Sequence, residues 1–226
     1  MADFERSWLD KFGRCVQQTL GDEARRVILQ GSEHLSDASE RQTVVAWSAA
    51  AMQRLEALAG ADRGRRVLTG CACQYPRADL QPIRAAYQAS GEIAVAHRML
   101  QERFETFLRQ QLELEEERVQ WIVQQGWGLA GILEGGRIVA TKIPKSSSLR
   151  QYLSEGDPEQ RRRLYCHCPR IRAVLNQAGA IAPLYCYCGA GFYQGIWEEI
   201  LQRPVEVEVL ESVLAGGEVC RIAVRW

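Results

Sequence analysis

The chain has 226 residues, with 28 lysines and arginines balanced by 28 aspartates and glutamates, so its formal net charge is zero. That length allows a sizeable core without covalent staples, and a neutral balance lacks the positive field that phosphate binding draws on, so nucleic acid is not expected as a partner. No apolar run approaches the roughly 18 residues of a membrane span, and the charged start Met1-Ala-Asp-Phe-Glu-Arg has no signal-peptide core, so a cytoplasmic location is expected.

Phe4, Trp8, Phe12, Cys15, Val16 and Leu20 recur at helical spacing and predict a first helix with one apolar stripe. Cys15 lies on that stripe and reads as a small buried hydrophobe. A second helix is expected from Asp22 through Val27, Ile28 and Leu29, ending near Gly31. A third, rich in alanine, covers 39–58 and stops at Gly60. The stretch 65–76, which carries Cys71 and Cys73, reads as a loop or short turn.

Helix resumes near Asp79, and one long helix is expected over 92–125, with His97 on its apolar face as a satisfied core histidine. The acidic run 113–117 reads as a solvated face. Residues 129–133, the pair Gly135-Gly136 and residues 137–143 form a β-hairpin pattern, because Gly-Gly supplies the positive φ of a tight turn. Pro169 interrupts a helical pattern over 161–175. Residues 189–201 read as helix, 205–209 alternate as a strand, and Gly216-Gly217 turns the chain into a last strand over 219–224. The expected class is α+β: a helical N-terminal part packed on an antiparallel sheet crossed by helices. It divides into a helical region, 1–62, and an α+β thiolate-containing region, 63–226, or forms one continuous domain.

Seven of the eight cysteines fall into three Cys-x-Cys pairs and one C-terminal position: Cys71/Cys73, Cys166/Cys168, Cys186/Cys188 and Cys220. The second and third pairs sit in near copies of one pentapeptide, Leu164-Tyr165-Cys166-His167-Cys168 and Leu184-Tyr185-Cys186-Tyr187-Cys188. In a reducing compartment such thiols point to metal binding or catalysis before disulfides. On a straight strand two such sulfurs stand ~6.7 Å apart. Two sulfurs on one tetrahedral zinc lie only ~3.8 Å apart. A metal must therefore bend the segment or take single ligands from different pairs. A helix start at Gly189 would favour thiolate over thiol, as would the flanking arginines Arg65, Arg66, Arg77, Arg161, Arg162, Arg163, Arg170 and Arg172. The candidate metal ligands are Cys166, Cys168, Cys186, Cys188 and Cys220; their spacing matches neither a zinc ribbon nor a ferredoxin, and zinc is favoured over an iron–sulfur cluster as the commoner occupant of such thiolate sets. His167 is weighed as a further ligand or proton carrier, whereas His34 carries little signal. No phosphate-cradling loop, dinucleotide fingerprint, zinc-hydrolase helix or nucleophile elbow is present.

The stretch from Cys186-Tyr-Cys-Gly-Ala-Gly-Phe-Tyr-Gln-Gly-Ile-Trp through Pro204-Val-Glu-Val-Glu-Val to Gly216-Gly-Glu-Val-Cys220 resembles the 4-vinyl-reductase-type domain. That resemblance implies an α+β small-molecule-binding fold, in which some sensor members hold zinc with three cysteines and a glutamate. Cys186 and Cys220 match two of those cysteines, while the third falls on Ser212 and the glutamate on Val209, so the ligand set is not carried over intact. Over more of its length the chain resembles an uncharacterised prokaryotic family bearing Cys-His-Cys-Pro and Cys-Tyr-Cys-Gly-Ala-Gly signatures.

Three functions compete. The first is a cytoplasmic zinc-thiolate protein with a small-molecule pocket among Tyr165, Tyr185, Tyr187, Phe192, Tyr193 and Trp197, homodimerisation being left open. The second is a cysteine- or metal-dependent hydrolase or redox enzyme on a small substrate, with Cys71 and Cys73 as reacting thiols and Arg77 or Lys142 orienting an acidic group. The third is a metal-handling or redox-sensing protein.

Overall fold

The computed structural model describes residues 3–175, 177 and 179–226. Among the described residues six α-helices precede a β-hairpin, four more helices follow it and two strands close the chain; the strands form one antiparallel sheet in the spatial order Ile132–Glu134, Arg137–Thr141, Arg221–Arg225, Glu206–Glu211. Among the described residues no helix is long and apolar enough to cross a membrane.

The N-terminal third is helical, as its periodicity dictates. Helix α1 (Phe4–Leu20) starts where the Asp3 carboxylate accepts the Arg6 amide and ends at Gly21; α2 (Asp22–Leu29) follows at once. Helix α3 (Arg41–Gly70) departs from expectation by running ten residues past Gly60. That glycine sits at φ +66° and only kinks the helix, because Val67 and Leu68 beyond it are fully buried and hold the second half on the core. The expected boundary at residues 62 and 63 thus falls within α3, and buried apolar residues from Trp8 to Val224 make one cluster.

Helix α4 (Arg77–Ser90) closes on left-handed Gly91. The single long helix expected over 92–125 is instead two, α5 (Ile93–Gln110) and α6 (Glu116–Gln124), separated where Glu113 takes a positive φ. The break lets the amide of Leu114 turn back to the carbonyl of Leu108, and Arg109 binds Glu116 across the gap at 2.7 Å. His97 is half-buried and donates from Nε2 to the Gly131 carbonyl at 2.9 Å, a structural bond.

Strands β1 (Ile132–Glu134) and β2 (Arg137–Thr141) form the expected hairpin about Gly135-Gly136. Helices α7 (Leu149–Ser154), α8 (Pro158–Tyr165) and α9 (Pro169–Arg172) follow, the last two with proline in the first turn. Helix α10 (Tyr187–Leu201) is apolar on most sides because it lies between α3 and α4 on one flank and strands β3 (Glu206–Glu211) and β4 (Arg221–Arg225) on the other. Its approach to α3 depends on Gly191. A Cβ there would lie 2.1 Å from the Thr69 carbonyl oxygen, so only glycine permits this spacing.

Candidate functional site: a buried thiol centre

Neither of the two related cysteine pairs lies on a strand. Cys166 and Cys168 occupy the short link between α8 and α9, with Cys168 as the residue before Pro169. Cys186 closes a 3-10 turn (Pro183–Cys186) and caps α10, and Cys188 sits in the first turn of that helix. Cys220 precedes β4, and Cys71 follows the last residue of α3. All eight cysteines are free thiols.

The tyrosines of the repeated pentapeptide bring these segments together. The Tyr165 hydroxyl donates to the Lys142 carbonyl and accepts the Cys220 amide at 2.9 Å, which ties the end of β2 to the start of β4. The Tyr185 hydroxyl accepts from Arg170 at 3.0 Å and lies 3.5 Å from the Cys168 sulfur. Its ring stacks on Trp8 with centroids 5.7 Å apart. Arg170 is wholly buried, covers the Trp8 ring at 4.1 Å and is neutralised by the equally buried Glu5 carboxylate. Glu5 also accepts from Arg41 at 2.7 Å.

The thiols fall into two groups that meet near Tyr185. On one side are Cys166, Cys168, Cys186 and Cys220, close enough in a poorly hydrated interior to act on one another's ionisation. Burial raises the pKa of Cys166 and Cys220 and pushes Cys186 up to about 12, so these three are neutral thiols at pH 7. Ser212, the position the resemblance gives to a third cysteine, hydrogen-bonds Cys186. Val209, given to the glutamate, pairs with Ile222 in the sheet. Nearer Cys220 is Glu211, whose carboxylate accepts the amides of Glu218 and Val219 at 3.0 and 3.3 Å and braces the loop before that cysteine. His167 is exposed and its Nε2–H donates to the Ile143 carbonyl at 2.8 Å. Among the described residues, no three His, Cys, Asp or Glu side chains are grouped so that they could hold a metal ion.

On the other side are Cys188, Cys71 and Cys15. Cys188 has a pKa below the ordinary thiol range. The first cause is a hydrogen bond from Cys71, which outweighs burial, and the Trp8 indole and the charges of Lys142 and Arg170 add to it. The first turn of α10 acts in the same direction. In the neutral form the Cys71 thiol points at the Leu68 carbonyl, 3.2 Å away. Once Cys188 ionises, the same proton gains more from the charged sulfur. The Trp8 Nε1–H is buried without a well-aligned acceptor, which leaves it free to serve that charge. Cys71 pays the converse penalty: bonding to Cys188 and burial hold its own pKa well above the usual range. Cys15 stands beside them, its sulfur 3.0 Å from where a Cβ on Gly70 would lie, and burial raises its pKa.

The positive groups are more selective than the sequence implies. Lys142 acts on Cys166, Cys186, Cys188 and Cys220, and no carboxylate lies within 4.0 Å of its ammonium among the described residues. Of the flanking arginines, Arg170 reaches the thiols, whereas Arg65 covers the Tyr187 ring, Arg161 covers Tyr152, Arg77 pairs with Glu199 and Arg162 binds the Val213 carbonyl. Cys73 is exposed, whereas buried Cys71 is the cysteine that acts on the ionisation of Cys188. Periodicity had placed Cys15 in the core and Trp8 on the same stripe, and nothing local marked either as part of a thiol site.

The aromatics considered as pocket walls are core residues: Tyr165, Tyr185, Tyr187, Tyr193 and Trp197 are buried. A polar cleft of about 370 Å³ does open beside the C-terminus of α3, lined by Arg66, Gln74, Arg77, Gln194 and Glu198 among others, with no cysteine in its wall. No protein-family model, curated protein or solved structure matches this chain.

Proposed function

We propose that this protein is a cysteine-dependent enzyme acting on a small electrophilic substrate, with Cys188 as the reacting thiolate. One observation carries the reading. The Cys71 thiol first, and then the buried Trp8 indole, which has no other partner among the described residues, lower the pKa of Cys188, while burial keeps Cys166, Cys186 and Cys220 protonated. A thiolate is the nucleophile and a buried neutral thiol is inert, so chemistry at neutral pH belongs to Cys188. Lys142, whose Nζ lies 3.8 Å from a Cβ position on Gly189, supplies a nearby positive charge for an anion developing on the substrate.

The test is peptide-resolved alkylation with iodoacetamide as a function of pH, with zinc content measured on the same preparation. The midpoint for Cys188 is expected below that of exposed Cys73. A midpoint in the ordinary thiol range, about 8.5, rejects the assignment. One tightly bound zinc per chain that shields Cys188 from the reagent replaces it with the zinc–thiolate reading suggested by the sequence.

A further inference from the structure

We propose that the polar cleft beside the C-terminus of α3 binds a small zwitterion of the α-amino-acid or short-peptide class, its carboxylate held by Arg66 and its ammonium by Glu198. The inference goes beyond the reading of Cys188, because no cysteine lines the cleft. Three segments build the site. The last two turns of α3 supply Arg66, the link to α4 supplies Gln74, and α10 supplies Gly191, Gln194, Gly195 and Glu198. Those four α10 positions recur at helical spacing and so form a single wall. Gly195 keeps that wall low: the Gln74 carboxamide lies over it, with Oε1 3.2 Å from where a Cβ would stand. At about 370 Å³ the cleft falls within the size range of small-molecule sites.

The charges in the wall decide what fits. Glu199 is satisfied within the protein, by Arg84 at 2.7 Å and Arg77 at 3.6 Å. Among the described residues, no carboxylate lies within 4.0 Å of the Arg66 guanidinium and no cation within 4.0 Å of the Glu198 carboxylate. Half-buried Glu198 accepts instead from two neutral groups, the Gln194 carboxamide at 2.9 Å and the Val205 amide at 3.3 Å. Both bonds go to Oε1, which leaves Oε2 for a ligand. The fold therefore sets one charge of each sign in the same cleft without an internal counter-ion. A ligand that covers them must replace the water they lose. An apolar molecule would strand both charges, an anion alone would strand Glu198, and a cation alone would strand Arg66. A zwitterion satisfies both, with the guanidinium fork matched to its carboxylate. The carboxamides of Gln74 and Gln194 are left to serve polar groups between its ends.

The experiment titrates the reduced, full-length protein calorimetrically with each of the standard L-α-amino acids and with alanyl-alanine, at millimolar concentrations. At least one is expected to bind, and its N-acetyl form and its carboxamide are each expected to bind about tenfold more weakly or worse. Arg66→Gln should weaken the parent compound by about tenfold and erase its advantage over the carboxamide. Glu198→Gln, which keeps an acceptor for the Val205 amide, should do the same for the N-acetyl form. Arg26→Gln, on the far smaller helix α2, should bind as wild type does. Silence from every probe overturns the proposal. So does a blocked form that binds as well as its parent, since that marks a site for one charge only, and so does binding that survives both cleft substitutions, since that places the ligand elsewhere. The comparison of parent and blocked forms needs only the wild type, so a poorly folding variant does not decide the outcome. None of these results bears on Cys188, whose alkylation midpoint is read separately.

Discussion

Gly191→Ala probes the packing that lets Cys71 act on Cys188. A Cβ at this position would meet the Thr69 carbonyl oxygen at 2.1 Å, its Cα at 2.6 Å and its carbonyl carbon at 2.7 Å, all of them backbone atoms of a neighbouring helix. Relief requires α10 and α3 to move apart by about 1.4 Å, since comfortable contacts begin near 3.5 Å. Overpacking of this kind costs about 1–3 kcal/mol, and rigid backbone places it at the upper end. Alanine returns ~1 kcal/mol through its better helix propensity, so a net loss of about 2 kcal/mol is expected. In a chain of this size that lowers the Tm by about 4–8 °C. The same displacement withdraws Cys71 from Cys188, so the alkylation midpoint of Cys188 rises toward the ordinary value. Gly189→Ala is the control two residues away: its Cβ would meet only the flexible Lys142 ammonium at 3.8 Å, and it should match or exceed wild-type stability. Thermal unfolding and the pH profile of alkylation, run on both variants, decide the matter. A Gly191→Ala protein as stable as the control, with an unshifted Cys188 midpoint, refutes the account.

Three further outcomes are expected. Trp8→Phe keeps an aromatic ring against Arg170 but loses the indole donor, and should raise the Cys188 midpoint by about one unit; an unchanged midpoint removes Trp8 from the site. Glu5→Gln leaves the fully buried Arg170 without its counter-charge and should cost about 3–5 kcal/mol in urea unfolding, against under ~1 kcal/mol for Arg41→Gln, and equal losses would show that the Arg170 pair does not matter. Cys186 holds its proton to about pH 12 when folded, whereas an unfolded thiol loses it near ~8.5. Its contribution to stability is therefore complete below about 8.5 and falls as pH rises toward 12, at up to ~1.4 kcal/mol per unit. Cys186→Ser should lessen the alkaline decline of folding free energy between about pH 9 and 10.5, and identical slopes would contradict the assignment.

The sheet was readable because its signals are local. Gly135-Gly136 marks a hairpin in any context, and the alternation in Glu206–Glu211 is a short-range pattern. Gly60 was misleading for a physical reason: a positive-φ glycine ends a helix or merely bends it, and only the burial of Val67 and Leu68 against distant residues decides which. The same holds for the thiols. Repetition of Leu-Tyr-Cys-x-Cys announced that sulfurs mattered, but spacing along the chain pairs Cys71 with Cys73, while packing sets it to act on Cys188. Trp8 and Cys15 occupy ordinary positions on an amphipathic stripe, so their place beside Cys188 follows only from how α1 docks. Residue 191 was legible as a small residue near a helix start, though not as the contact point with Thr69.

The bond between Glu5 and Arg170 joins residues 165 positions apart. During synthesis the first helix leaves the ribosome long before its cationic counterpart exists, and a carboxylate resists dehydration until that counterpart arrives. Even so, Phe12 packs on Trp47 and Glu5 already pairs with Arg41, so the first helix has partners within the helical third alone. What Arg170 adds is a clasp that fastens this early-made part to the segment carrying Cys166 and Cys168.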